Sequence, residues 1–369
     1  MQKLSGPGAK STTIACFISP HGFGHAARAA AVIEALHRKM ANVRIDIYTS
    51  VPQWFFDQSL TGAFTYNYLV TDIGLVQRTP LQEDLDKTLE KLDAMLPFEN
   101  SVVLCLAEQL RRNHCRLVLC DIAPLGIAVA RAAGIASVLI ENFTWDWIYQ
   151  GYTAQDNRFI PHISYLKQVF TDADHHVQTE PVCRPVNAGL TTHPVGRTPR
   201  KPARQIRRSL NIPLGAPLVT LTLGGIPPAF ALFESLPVSR DYYVIIPGGA
   251  QTFQAKDNIR LLPHHSGFYH PDLIHASDAV IAKLGYSTLA EVYHAGIPFG
   301  YIPRTGFRES AVMEIYVKAH VSSLALTEDA LKDGQWMYRI PQLLAMPKVL
   351  RGGMNGAEQA ADYISRVLN

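Results

Sequence analysis

Excess charge, cysteine and long apolar stretches are all scarce in this chain, and each shortage excludes a class of protein. Among 369 residues, 34 Lys and Arg stand against 31 Asp and Glu, a formal net charge of +3. A dedicated nucleic-acid binder would carry a strongly basic domain, so no nucleic-acid partner is expected. The five cysteines (Cys16, Cys105, Cys115, Cys120, Cys183) are odd in number and show no CxxC spacing. That argues against a disulfide framework or structural zinc, and reduced buried thiols are expected. No stretch reaches the ~20 apolar residues of a spanning helix. The most apolar region, Leu117 to Ile140, is broken by Asp121, Pro124 and Arg131. Met1 to Thr13 is polar, and Ile14 to Ile18 is too short for a signal-peptide core, so a cytoplasmic location is expected.

Apolar residues are plentiful, at 47% against 18% charged, enough to bury substantial cores. At ~150 residues per domain, the length suggests two domains or slightly more. Thr12 to Ser19, Val43 to Ser50, Arg116 to Ile122 and Ala136 to Glu141 read as strands. Helical stretches separate them: His25 to Met40, Leu81 to Asn113 with a break at Pro97, and Leu125 to Ala133. The alternation starts again at Pro217 to Leu223, followed by Tyr242 to Ile246, Asn258 to Leu262, Ala279 to Ala282 and Phe299 to Ile302. Such alternation with short connections predicts two α/β domains, each a doubly wound parallel sheet. Between them, Arg197 to Arg208 carries six basic residues and no acid. It reads as a solvated linker that can touch an anionic membrane surface. The expected division is 1–196, 197–352 and a C-terminal helix, 353–369, packing back on the first domain.

Pro20 to Arg28 (PHGFGHAAR) joins the first strand to the first helix, where ligands of doubly wound sheets bind. Gly22 and Gly24 permit a tight turn and close backbone approach. With Ala27 they also fit G-x-G-x-x-G/A, but a dinucleotide site wants an acid ending the second strand, where Tyr48-Thr49-Ser50 stands. His21 and His25 flank the glycines, and a histidine in such a crevice is a candidate general base. Asp121, ending the strand that returns beside the first, either orients that histidine or caps the helix after it.

A second glycine loop follows Asp278 to Lys283. Gly285-Tyr286-Ser287-Thr288 opens a helix whose hydroxyls and free amides can hold a diphosphate without a metal. Glu291, one turn on, lies on the same face as Ser287 and Thr288. It either accepts hydrogen bonds from a ribose or is an ordinary exposed acid. Phe143 to Tyr149 (FTWDWIY) follows a first-domain strand. There Trp145, Asp146 and Trp147 form either an acceptor platform or domain core.

The Gly285, Thr288, Glu291 spacing resembles the G-x-x-T-x-x-E run of GT-B glycosyltransferases, especially the N-acetylglucosaminyltransferase of lipid II synthesis. The stretches HGFGHAAR, TSVPQWFF and NFTWDWIY are most similar to the glycosyltransferase-like N-terminal domain of plant arabinokinases and its bacterial relatives. The resemblance implies a GT-B fold and a nucleotide-sugar donor, UDP-linked, held by Gly285, Ser287, Thr288 and Glu291. It matches Gly224-Gly225 to the glycine loop opening the second domain. Arg308 and Glu309 correspond to the loop that contacts the donor sugar. His25 becomes the expected base, with His21 as substitute and Gly22, Gly24 and Arg28 completing the loop. The implied reaction is inverting transfer to an acceptor hydroxyl, with no cofactor and no metal. The Gly22, Gly24, His25, Arg28 pattern also resembles the nucleotide-sugar hydrolase of pseudaminic acid synthesis. A non-catalytic nucleotide-sugar-binding protein is the third reading.

Overall fold

The computed structural model describes residues 12–79, 82–223, 239 and 241–368. Its first half contains β1 (Thr12–Ile18), β2 (Val43–Thr49), β3 (Phe64–Tyr68) and a small antiparallel pair, β4 (Gln77–Thr79) with β5 (Gln82–Glu83). β6 (Cys115–Asp121), β7 (Ser137–Glu141), β8 (His175–Thr179) and β9 (Leu190–Thr192) follow. Seven of these strands form a parallel sheet in the order β3-β2-β1-β6-β7-β8-β9. β1, β6 and β7 are buried on both faces, which is why they read as nearly unbroken apolar runs.

The second half repeats the plan with β10 (Leu218–Thr222), β11 (Tyr243–Pro247), β12 (Gln254–Lys256), β13 (Ile259–Leu262), β14 (Ala279–Lys283), β15 (Phe299–Ile302) and β16 (Ser323–Ala325). The order is β12-β13-β11-β10-β14-β15-β16, and of this sheet's described pairings only that of the edge strand β12 is antiparallel. In each sheet the winding reverses beside its first strand, at β1/β6 and at β10/β14. That reversal opens a crevice at the carboxyl ends of the strands. The long helical stretch of the first half divides around Pro97 into Leu85–Met95 and Asn100–Arg112.

The first helix, Phe23–Lys39, explains how the halves meet. Ala26, Ala27, Ala29, Ala30 and Ala31 are buried along it, and small side chains let neighbouring backbones come close. One apolar cluster runs from these alanines to Leu289 and Ala290 of the second half and to Ala360, Ala361 and Ile364 near the C-terminus. The last helix, Gly356–Leu368, thus packs on the first helix, tied by Arg38 to Glu358 and Lys39 to Asp362. The segment leading to it is also tied to the linker: Asn355 receives a hydrogen bond from the Gly196 amide (3.3 Å) and donates to its carbonyl (2.8 Å). Among the described residues, no helix is long and apolar enough to cross a membrane.

The basic run is only partly a solvated linker, which corrects the expectation. Arg197 pairs with Glu291 at 2.9 Å, and Arg200 donates to the Gln58 and Ser59 carbonyls at 2.6 and 2.5 Å. Arg207, in helix Ala203–Ser209, is 7% exposed and donates to Ala276 and Ala216 carbonyls and to Asp278. Lys201, Arg204 and Arg208 are exposed. Arg207→Ala should therefore cost about 3–5 kcal/mol in denaturant unfolding by leaving buried acceptors unpaired. Arg208→Ala should stay within about 0.5 kcal/mol of the parent. Equal effects would place both side chains in solvent.

Candidate functional site

The turn after β1 places its side chains through one glycine. Gly22 precedes the first helix at φ 70° and ψ −172°, a conformation essentially confined to glycine. The helix then starts at Phe23, and His25 and Arg28, three residues apart, share a face turned toward the end of β6. There the His25 Nδ1 lies 3.1 Å from Asp121 Oδ1. Arg28 clasps the same carboxylate with two hydrogen bonds, Nε to Oδ2 at 2.9 Å and a terminal nitrogen to Oδ1 at 2.6 Å. Its other terminal nitrogen donates to Asn142 Oδ1 (2.6 Å), and Asn142 donates to Glu309 Oε1 (2.6 Å) in the second half. All five side chains are buried. Asp121 thus contacts His25 and Arg28, and the helix that follows it has no side-chain cap.

This network sets the charges. Burial pushes the Asp121 carboxyl up, but the Arg28 guanidinium and the His25 hydrogen bond outweigh it and hold the group below the usual carboxylate range. Burial pulls the His25 pKa down, and Asp121 offsets only part of that. With Nδ1–H assigned as donor to Asp121, Nε2 is the basic nitrogen. His21 is held further down, by burial first and then by Arg304, His25 and Lys283. Its Nδ1 accepts from the Leu75 amide at 3.3 Å, and its ring meets the edge of Trp145 at 5.2 Å.

Opposite stands the N-terminus of helix Tyr286–Ala295, which follows Gly285 just beyond β14. A methyl group on Gly24 would lie 4.0 Å from the Ser287 hydroxyl, so the two glycine loops face each other closely. Between them lies a cleft of about 820 Å3, counted to its open mouth, lined by His21, His25, Ser287, Thr288, Lys283 and Glu309 among others. Past Phe23, Thr222, Ser287 and Thr288 it continues into a hollow of about 760 Å3 walled by Trp54, Phe55, His264, Phe268 and His270. Here an aromatic helix of the first half meets a loop of the second, with Trp54 4.9 Å from His265.

Several expected residues stand elsewhere than on the cleft wall. Trp145, Asp146 and Trp147 are 1%, 2% and 7% exposed and line neither hollow. Trp145 supports His21, His25 and Tyr149 from beneath, so the segment is core in this structure and not an open platform. Arg308 turns away to donate to the Trp147 carbonyl (2.5 Å) and lies over its ring at 4.1 Å. Glu291 is buried, not exposed. Its two oxygens accept from Arg197 (2.9 Å) and His270 (2.8 Å). Gly224 and Gly225 lie outside the described residues. Sequence reading passed over Asn142, Lys283, Arg304 and His270. Lys283 was discernible as the last residue of a strand before a glycine loop.

No protein-family model matches the chain. It is 28% identical over 364 residues to an L-arabinokinase of Arabidopsis thaliana. The match takes in 96% of this chain but only 34% of that protein, so the chain spans about a third of the length of this curated relative. Among solved structures it is similar to UGT89C1 of Arabidopsis thaliana, complexed with UDP (TM-score 0.61, 15% identity, 97% of this chain and 100% of that one). It is also similar to UGT71G1 of Medicago truncatula, complexed with UDP-glucose (TM-score 0.57, 12% identity, 96% of this chain and 94% of that one). The chain has the GT-B fold, two Rossmann-like domains facing each other across a cleft.

Two outcomes follow from the burial of these groups. The unfolded chain takes up protons on His near pH ~6.5, whereas folded His21 and His25 resist until lower pH. Their contribution to stability is full above that pH and lost below it. Melting temperature should fall between about pH 7 and 5, and His21→Gln should flatten the slope; an unchanged slope means His21 titrates normally. Trp145→Ala should cost about 3–5 kcal/mol in urea unfolding. A fully stable variant would return Trp145 to the cleft surface.

Proposed function

We propose that this chain moves a glycosyl group from a nucleotide diphosphate sugar, UDP-linked, to an acceptor hydroxyl, with inversion and without a metal. The observation that carries this reading is His25, paired with Asp121 at 3.1 Å and facing a helix N-terminus across the cleft. Burial keeps the imidazole neutral and the Asp121 pairing preserves part of its basicity on one side, while the other side offers amides, hydroxyls and a dipole of ~+0.5 charge.

In this reading the His25 Nε2 takes the proton of the acceptor hydroxyl as its oxygen attacks the anomeric carbon. The bond from that carbon to the diphosphate oxygen breaks on the opposite face, which inverts the centre. Asp121 steadies the imidazolium formed. The departing diphosphate rests on Gly285, Ser287 and Thr288, whose donors point where the negative charge develops. The nucleoside occupies the aromatic hollow beside His264 and Phe268, with Glu291 fixing the His270 ring that meets the ribose. UDP and UDP-glucose in the structural neighbours favour uridine as the nucleoside. A cytoplasmic site of action accompanies this reading, and any membrane contact falls to exposed Lys201, Arg204 and Arg208.

General-base assistance contributes ~10²–10⁴-fold, so His25→Ala should slow UDP release from UDP-sugars with an acceptor panel by about that factor. Calorimetry should show UDP affinity retained. Unchanged turnover would remove His25 from the mechanism. Full-rate UDP release without any acceptor would make water the acceptor and the chain a hydrolase.

A further inference from the structure

We infer that the sugar end of the cleft is a second anion site, built by Lys283 and Arg304 for a carboxylate carried by the transferred sugar or by the acceptor. The inference rests on the nucleotide-sugar reading and narrows its substrate class. The diphosphate has its own cradle at Gly285, Ser287 and Thr288, of which Ser287 and Thr288 line both hollows. Lys283, Arg304, Gln77 and His21 line only the part away from the aromatic hollow, where the transferred sugar would lie.

Two cations in that part are incompletely paired. Lys283 ends β14 opposite Ile302 of β15, which brings Arg304, two residues further on, to the same wall. Among the described residues the Lys283 ammonium has no hydrogen-bond or ion-pair partner. Burial, and then Arg304, pull its pKa down to about 8. Arg304 is 6% exposed, donates to Glu83 at 3.0 Å and lies over the Phe307 ring at 4.0 Å. Its Nε, however, is buried without a partner. The acids nearby are already engaged, Glu83 by Arg304 and Glu309 by Asn142 at 2.6 Å. A neutral sugar offers hydroxyls, which leave the Lys283 charge uncompensated, whereas the Arg304 charge already has Glu83 and lacks a partner only at Nε. A carboxylate offers two oxygens that accept from both, and such charge-assisted bonds are the strong ones. The acid rides either on the donor's glycosyl group or on the acceptor.

Calorimetry with the full chain tests this, using UDP, UDP-glucose and UDP-glucuronate, and free glucuronate added to the UDP complex. UDP-glucuronate should bind about tenfold or more tightly than UDP-glucose, the range of a hydrogen bond to a charged group. Lys283→Gln should collapse that ratio and Lys283→Arg should keep it. A preference seen only with free glucuronate, and lost in Lys283→Gln, assigns the acid to the acceptor and still upholds the site. Equal affinity for both donors with no glucuronate binding overturns it. So does an equal loss for UDP, UDP-glucose and UDP-glucuronate in Lys283→Gln, which would make Lys283 part of the diphosphate cradle. Failure of UDP and both donors to bind at all would instead overturn the nucleotide-sugar reading, and this inference with it.

Discussion

The ion pair between Arg28 and Asp121 is the joint from which the site is assembled. Both charges are almost wholly withdrawn from water, so their pairing must offset a desolvation cost of several kcal/mol per ion. Two short hydrogen bonds to one carboxylate accomplish that, and the remaining donors and acceptors of the pair reach outward. One direction leads to His25, whose ring orientation depends on an ionised Asp121. The other leads through Asn142 to Glu309, on the far domain. His25 and the Glu309 loop therefore belong to one hydrogen-bonded chain that crosses the domain boundary.

A second cross-domain connection lies beside the aromatic hollow. Arg197, at the start of the linker, reaches both Ser59 of the first domain and Glu291 of the second. Glu291 in turn fixes His270, at the edge of the aromatic hollow. Both connections are charged and buried, whereas the contact between them is made of alanines. The polar links set register between the domains, and the alanine face lets the first helix approach closely enough for them to form.

Much of this could be read from residue order alone. β1, β6 and β7 announced themselves as apolar runs, and the reversal of winding made Asp121 a candidate neighbour of His25 while leaving a helix-capping role equally open. The short outer strands β8, β9, β12 and β16 could not be foreseen, because three to five residues, of mixed burial or, in β12, wholly exposed, carry no clear period. Partners far apart in the chain were equally hidden. Arg197 and Glu291 are 94 residues apart, and nothing local marks either as belonging to the other. The tryptophans were ambiguous because an aromatic at a strand end serves equally well as platform or as packing. Only the rings of His21, His25 and Tyr149 around Trp145 decide between them. Lys283 and Arg304 become neighbours only through the pairing of β14 with β15.

The chain crosses between the domains twice, once at Gly196 and again before the helix Gly356–Leu368, and Asn355 stitches the two crossings together. A domain suspended from one strand of chain can tumble and swing in any direction. One suspended from two adjacent strands behaves as a door on paired hinges, with a single axis of rotation lying along the crossings. Where the two glycine loops stand relative to each other is in this sense a mechanical property, set by where the chain turns back on itself.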